Sequence, residues 1–389
     1  MIISMSDDIV IVGAGHSKFG KRKGKGIREL AFEAVQDLMS DFNKGLDDID
    51  ASVVGIAGEE FSGQGAPAAV IVDEIGMAGK PTLRVESACA TGTAGIKAAY
   101  GWIKAGFYDS VMVVGVEKMT AVSSVRATEL MARAGDVRWE SPFGVSFPGY
   151  YALMASAHMA EYGTTKEMLS SVGVKNHFYG AKNPLAHIQK EVSLEEAMNS
   201  IPIAYPLNLY DCSLISDGAA AVVLTKESIA KEFTDTPIRI RGVGSGSDAM
   251  MMSERKSLTS LAGAQSAAQK AYKMAGITPD QVDVAEVHDC FTIAEIIATE
   301  DLGFFEPGQG GQAVLDQQTY IGGKVAVNVD GGLKSKGHPL GATGVSQAVE
   351  LRKQLLGEAK KRQVDGAEIG LSHNVGQSGQ FVNVLVYSR

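Results

Sequence analysis

The sequence predicts an α/β protein built from two similar halves, with a subdomain inserted in the first. Short β-branched runs alternate with helix-patterned stretches over most of the 389 residues. Such alternation, with strands apolar on both faces, favours mainly parallel sheets sandwiched between helices. The rhythm lapses once, from Thr120 to about Pro206. A helix, turn and strand unit also recurs at an offset of roughly 230 residues, too long for a solenoid period and suited to a duplicated domain.

Taken in order, Ile9 to Val12 reads as a strand ended by Gly13-Ala14-Gly15, and Ile27 to Met39 carries apolar residues at helical spacing. Val53 to Ala57 is the next strand. Leu83 to Val85 leads into a small-residue helix from about Cys89 to Ala105, followed by the strand Val111 to Val116. The stretch from Thr120 carries Trp139, Phe143, Phe147, Tyr150 and Tyr151 between polar loops and reads as the insertion. Alternation resumes at Ser216-Asp217-Gly218, entering a strand to Leu224, and at Ile238 to Val243. Ala264 to Val287 then repeats the pattern of Ala31 to Val54, and Gly341-Ala342-Thr343-Gly344 after His338 matches the helix start after Cys89. The expected division is 1–120 with 206–235 as one half, 121–205 as the insertion and 236–389 as the other half.

Charged residues at 21% and hydrophobic residues at 45%, without low-complexity tracts, describe a folded globular chain. A net charge of -9 argues against a general nucleic-acid binder. Cys89, Cys212 and Cys290 are odd in number and widely spaced, so neither a disulfide framework nor a structural zinc module is expected, and a reducing, cytoplasmic compartment fits best. The stretch Met1 to Asp8 lacks a basic segment before an apolar one, and no run of about 18 apolar residues occurs, so neither export nor a membrane span is implied.

Four residues stand out chemically. Ser87-Ala88-Cys89-Ala90-Thr91-Gly92 lies between a strand and a helix, with Ser87 as the expected N-cap and Cys89 in the first turn, where helix dipole and free amides favour a thiolate. A buried structural cysteine is the bland alternative. His338, between Gly337 and Pro339 on a constrained loop entering a helix, suits a base acting on a thiol. His288 and Cys290 follow an apolar strand, Val282 to Val287, and could donate to an oxyanion and shuttle a proton. No further ligands at recognisable spacing support a metal site there. Gly13-Ala14-Gly15 fails the dinucleotide spacing, and Lys334-Ser335-Lys336-Gly337 lacks the Lys-Ser/Thr that follows the last glycine of a P-loop.

Over nearly its whole length the chain resembles the thiolase superfamily. The resemblance is carried by Glu86-Ser87-Ala88-Cys89-Ala90-Thr91-Gly92, Ser216 to Ala221, His288-Asp289-Cys290-Phe291, Gly337-His338-Pro339 and Ser372-His373-Asn374. Within it, the sterol-carrier-protein-2 type and the archaeal acetoacetyl-CoA thiolases are most similar. The resemblance implies a five-layered αβαβα fold of two halves with an inserted loop domain. It also implies an acyltransferase that condenses two acetyl-CoA to acetoacetyl-CoA and CoA, or cleaves 3-ketoacyl-CoA. Cys89 would take the acyl group, His338 activate its thiol and His288 hold the thioester oxygen of the enolate. The cysteine that ordinary thiolases use as second acid/base is replaced at His373, so Cys290 is the expected substitute, with His373 as the competing assignment. Thr91 stands where many relatives have serine. No metal and no cofactor beyond coenzyme A thioester substrates is implied. The implied partners are a second copy or three more, and a hydroxymethylglutaryl-CoA synthase joined through a small OB-fold protein. The alternatives are a longer-chain 3-ketoacyl-CoA thiolase, a ketoacyl synthase, which has no need of Cys290, and an inactive scaffold.

Overall fold

In the computed structural model, which describes residues 7–40 and 42–389, twelve strands are formed. Residues 1–6, part of the stretch read above for export signals, lie outside the described residues. The strands are β1 (Ile9–His16), β2 (Ala51–Gly55), β3 (Thr82–Val85), β4 (Ser110–Lys118), β5 (Pro202–Ala204), β6 (Leu207–Asn208), β7 (Asp217–Lys226), β8 (Ile238–Gly246), β9 (Val284–Glu286), β10 (Ala326–Val327), β11 (Ile369–Gly376) and β12 (Phe381–Ser388). Ten of them form one twisted array in the order β10-β9-β11-β12-β8-β1-β7-β4-β2-β3, while β5 and β6 pair separately.

The array is two five-stranded sheets of one topology. The order β3-β2-β4-β7-β1 is repeated by β10-β9-β11-β12-β8, and each sheet has two parallel junctions and two antiparallel ones. The sheets meet only where Val10 and Ile11 of β1 pair with Arg239 and Ile238 of β8. The duplication seen in the sequence is therefore topological. Mainly parallel sheets are not what forms: β7 and β12 return against their predecessors, so half of each sheet is antiparallel.

Side-chain alternation along the strands sorts most of the apolar residues into three large cores, and a smaller fourth cluster gathers Phe61, Met119, Ala127, Leu130 and Leu340 around Cys89. One lies between the Ile27–Met39 helix and the outer face of the first sheet. The central core joins the inner faces of both sheets to the helices Thr91–Lys104 and Leu340–Leu356. The third packs the Ala262–Ala275 helix, with helices from the insertion, on the outer face of the second sheet. Outer helices, sheet, central helices, sheet and outer helices make five layers, with an inserted loop domain between β4 and β7.

Two local expectations are corrected. β1 runs on through Gly13-Ala14-Gly15 to His16, with a register shift between Ile11 and Gly13. Gly15 keeps the strand going because its bare Cα accepts the close approach of the Ile27–Met39 helix backbone at Ala34 and Leu38. The helix after β3 begins at Thr91, so Cys89 sits in the preceding 3₁₀ turn Ala88–Ala90 and not in the first α-turn. Ser87 makes no side-chain cap. Instead Thr91 Oγ1 accepts from Ser87 N–H at 2.9 Å and donates to Ala88 O at 2.6 Å.

Candidate active site

The two central helices start at the same end of the molecule and cross there with almost no gap. A Cβ on Gly92 would stand 2.6 Å from the nitrogen of Val345, and one on Gly344 would collide with Thr93 and Asn374. This crossing brings the Cys89 turn beside the His338 loop. The carboxylate of Glu117, at the end of β4, ties the His338 loop to the segment that follows β2 by accepting from Gly341 N at 3.0 Å and Ala57 N at 2.8 Å, and burial pushes its pKa up to about 7.

The Cys89 thiol and one ring nitrogen from each of His288 and His338 lie within 4.8 Å of one another, all buried. The two imidazoles meet edge to face with centroids 5.1 Å apart. Ala88, immediately before the cysteine, has a positive φ of 49°. That turn and a backbone amide from Gln377 present the thiol to a cavity of about 360 Å³. Cys290 reaches the same cavity, as does Cys212, while Leu130, Met131, Phe147 and Pro148 of the insertion cover it.

Hydrogen bonding assigns the two rings opposite tautomers. Thr343 Oγ1 donates to Pro339 O at 2.9 Å, so its remaining bond, 2.7 Å to His338 Nδ1, must accept a ring N–H. His338 is thereby left with a bare Nε2, the form a base requires. His338 N–H also donates to Ser216 Oγ at 3.2 Å, which holds the loop. On His288 the relation is reversed. The Asn374 amide donates to Nδ1 at 3.1 Å, so Nε2 carries the hydrogen, and that buried atom has no protein partner.

The electrostatics correct one expectation. Burial pushes the Cys89 thiol up to about 12, with Glu117 adding to the effect, and it drives His338 down to about 3. Loss of solvation outweighs the helix terminus, so the resting pair is a neutral thiol beside a neutral imidazole and not a thiolate. Cys290 is likewise held well above the ordinary thiol range by burial, while a hydrogen bond from Tyr151 favours its thiolate. Tyr151, from the insertion, stacks on Phe291 at 4.6 Å.

His373 stands apart from this group. In β11, Leu371 and Val375 face the outer core of the second sheet, whereas Asn374 faces Cys89, so His373 projects to the outer side. It is buried, neither ring nitrogen has a hydrogen-bond partner, and it does not line the cavity. Asp289 is not at the cavity either: it accepts from the backbone nitrogens of Leu333 at 2.7 Å and Lys334 at 3.2 Å and so anchors the segment carrying His288 and Cys290. Asn374 and Thr343 stand in motifs that the sequence marks out, but the sequence alone assigns neither a role. The signal for Asn374 was period-two alternation beside His373.

Family models for the thiolase N-terminal domain and the thiolase C-terminal domain-like region match residues 9–228 and 244–389. The chain is 44% identical to an acetyl-CoA acetyltransferase of Methanothermobacter thermautotrophicus over 98% of this chain and 100% of that one. It is 36% identical to sterol carrier protein 2 of Bos taurus, across 97% of this chain and 72% of that protein. Among solved structures, an Ltp2-ChsH2(DUF35) aldolase superposes with a TM-score of 0.86 at 24% identity, covering 98% of both chains.

Proposed function

Because the chain belongs to the thiolase family, we propose that it transfers acetyl groups between coenzyme A thioesters, running the reversible Claisen condensation of two acetyl-CoA to acetoacetyl-CoA and CoA through acetyl-Cys89. The observation that carries the assignment of roles is the juxtaposition within 4.8 Å of a thiol, a bare ring nitrogen and a ring N–H on the cavity wall.

In the cleavage direction, His338 Nε2 takes the Cys89 proton as Sγ attacks the keto carbon of acetoacetyl-CoA. The bond between that carbon and the α-carbon breaks, acetyl remains on Cys89, and the electron pair passes into the enolate of acetyl-CoA. His288 Nε2–H holds the enolate oxygen, where preorganised donors are worth most because charge develops there. The Cys290 thiol protonates the α-carbon and acetyl-CoA leaves. Free CoA then attacks acetyl-Cys89, giving its thiol proton to the Cys290 thiolate, while the imidazolium of His338 returns a proton to the departing Cys89 sulfur. Condensation runs the same steps backwards. Every acyl carrier and proton carrier is a side chain, so the scheme takes CoA thioesters as substrates and calls on no metal or other cofactor.

In this reading 1–120 with 206–235 and 236–389 are the two halves and 121–205 is the insertion that shapes the acyl pocket. A homodimer or homotetramer, a cytoplasmic setting and a complex with hydroxymethylglutaryl-CoA synthase through a small OB-fold protein accord with the same resemblance. A second reading, cleavage of longer 3-ketoacyl-CoA, is favoured by the apolar Leu130, Met131 and Phe147 over the cavity. CoA-dependent cleavage across a chain-length series separates the two: rates falling steadily beyond four carbons support acetyl transfer. For the nucleophile, incubating the protein with acetyl-CoA or acetoacetyl-CoA, quenching, digesting and mapping the mass increase should place acetyl on Cys89. An adduct only on Cys212 or Cys290 would overturn the assignment.

A further inference from the structure

His288 can hold an enolate oxygen only if its free nitrogen bears hydrogen. Imidazole on its own favours that tautomer only weakly, and a buried partner can reverse the choice, so the surroundings must fix it. The choice is made on β11. The Asn374 Nδ2 group has two hydrogens, and both are committed, one to the Cys89 carbonyl at 3.0 Å and one to His288 Nδ1 at 3.1 Å. Its oxygen lies 3.0 Å from Thr93 Oγ1, whose single hydrogen is shared between that oxygen and Ala90 O at 3.0 Å, and the hydroxyl in turn accepts from Asn383 Nδ2 at 3.2 Å. The amide cannot be turned over, since its oxygen would then face a carbonyl that only accepts. All of these groups are buried.

We propose that Asn374 is a positioning residue that fixes His288 as the Nε2–H tautomer, and so makes it an oxyanion donor. The catalytic consequence rests on the reading of Cys89 and His288 given above, but the tautomer is a property of the resting protein and can be read without turnover. There is a second chemical consequence. A thiol and two imidazoles within 4.8 Å are the donor set of a zinc-type site. A ligating histidine must offer a bare nitrogen to the metal and donate its other N–H outward, usually to a carboxylate or carbonyl. His338 meets that condition through Thr343, whereas Asn374 denies it to His288. Asn374→Asp, nearly isosteric, reverses the polarity: the carboxylate accepts from Nδ1–H and leaves Nε2 bare, while its oxygen repels the Cys89 carbonyl that the amide had held.

The test uses the full-length protein with ring-15N histidine, examined by magic-angle-spinning NMR, with the His288 signals identified by their loss in His288→Gln. The wild type should show a protonated Nε2 and a bare Nδ1, and Asn374→Asp the reverse. Asn374→Asp should also lose about 10² to 10³ in acetoacetyl-CoA cleavage, the loss typical for one oxyanion donor. Titration with cobalt(II) should give a thiolate-to-metal charge-transfer band in Asn374→Asp, absent in the wild type and lost again in Cys89→Ser/Asn374→Asp. A wild-type His288 protonated at Nδ1 overturns the proposal, and that spectrum decides even if Asn374→Asp does not fold. Equal cobalt binding by wild type and Asn374→Asp also overturns it. Full cleavage activity in Cys89→Ser would instead remove the proposed function and leave the tautomer assignment standing.

Discussion

Replacing Cys290 by alanine should separate acyl transfer from proton transfer. Its thiol is buried and held well above the ordinary thiol range by desolvation, so at neutral pH it is almost wholly protonated and stands ready as the acid that quenches the enolate. A positioned acid or base contributes roughly 10² to 10⁴ in rate, or about 3 to 5 kcal/mol of barrier. Because the acid form is fully populated, the alanine variant should forfeit that whole contribution in cleavage. Removing one sulfur from the edge of an existing cavity costs about 1 kcal/mol of stability, small against a typical total of roughly 5 to 15. The variant should therefore fold, still form acetyl-Cys89 from acetyl-CoA, though more slowly because Cys290 also protonates the departing CoA, and fail to exchange the methyl protons of acetyl-CoA in deuterated water. His373→Ala should leave exchange within about threefold, since His373 projects from the opposite face of β11. Mass spectrometry of acetyl-CoA recovered from both variants gives the exchange rates, which report the base separately from the nucleophile. Exchange lost in His373→Ala but kept in Cys290→Ala would refute the reasoning and transfer the role to His373.

With the Cys89 thiol raised to about 12 and His338 lowered to about 3, the neutral pair persists across the physiological range. The rate of Cys89 alkylation by iodoacetamide should climb steadily from pH 6 to pH 9 as hydroxide takes the thiol proton, and His338→Ala should lower it about tenfold at pH 7. A plateau with an inflection below pH 7 would show a resting ion pair and contradict the burial argument. Gly344→Ala would drive a methyl group into Thr93 and the Asn374 side chain at the helix crossing. It should lower stability by about 3 kcal/mol, read from denaturant midpoints, and disturb the site as well. An unchanged midpoint would mean that the crossing has slack.

The halves, their central helix starts and the four named side chains were legible because each leaves a local mark: a period, a small-residue turn, a histidine between glycine and proline. The mixed strand directions were not legible, since β7 and β12 look alike to periodicity whichever way they run. The thiol's state was misjudged for a similar reason. A helix start is visible in sequence and argues for a thiolate, but the burial that overrides it comes from Phe61, Met119, Leu340 and the insertion, with the charge of Glu117 adding to it, and these approach only in three dimensions. Asn374 was visible as a letter beside His373. Only the alternation of β11 shows that the asparagine, and not the histidine, turns toward the nucleophile.

The duplication explains why this one end of the molecule became reactive. Matching β2 and β4 to β9 and β11 sets Gly55 opposite His288 and Gly115 opposite Asn374, and it pairs the Gly341 position with Cys89. In the first sheet the carbonyl of Gly341 presses so close to Gly115 that no side chain fits. In the second, the equivalent carbonyl of Cys89 stands farther off and is met by the Asn374 amide. Bare glycines in one half therefore let the His338 helix start settle against its strands, while the half that faces Cys89 keeps room for an imidazole and the amide that orients it. The threonines follow the same division. Thr91 spends its hydroxyl closing the Cys89 turn, whereas Thr343 also accepts from His338. The second copy of the scaffold thus supplies both rings, a base with a bare nitrogen from its helix-start loop and a donor with a covered nitrogen from the end of its sheet, while the first copy supplies the thiol. Because each ring is set by a neighbour from its own half, exchanging the identities at 55 and 288, or at 115 and 374, should close the site by collision before it alters the chemistry.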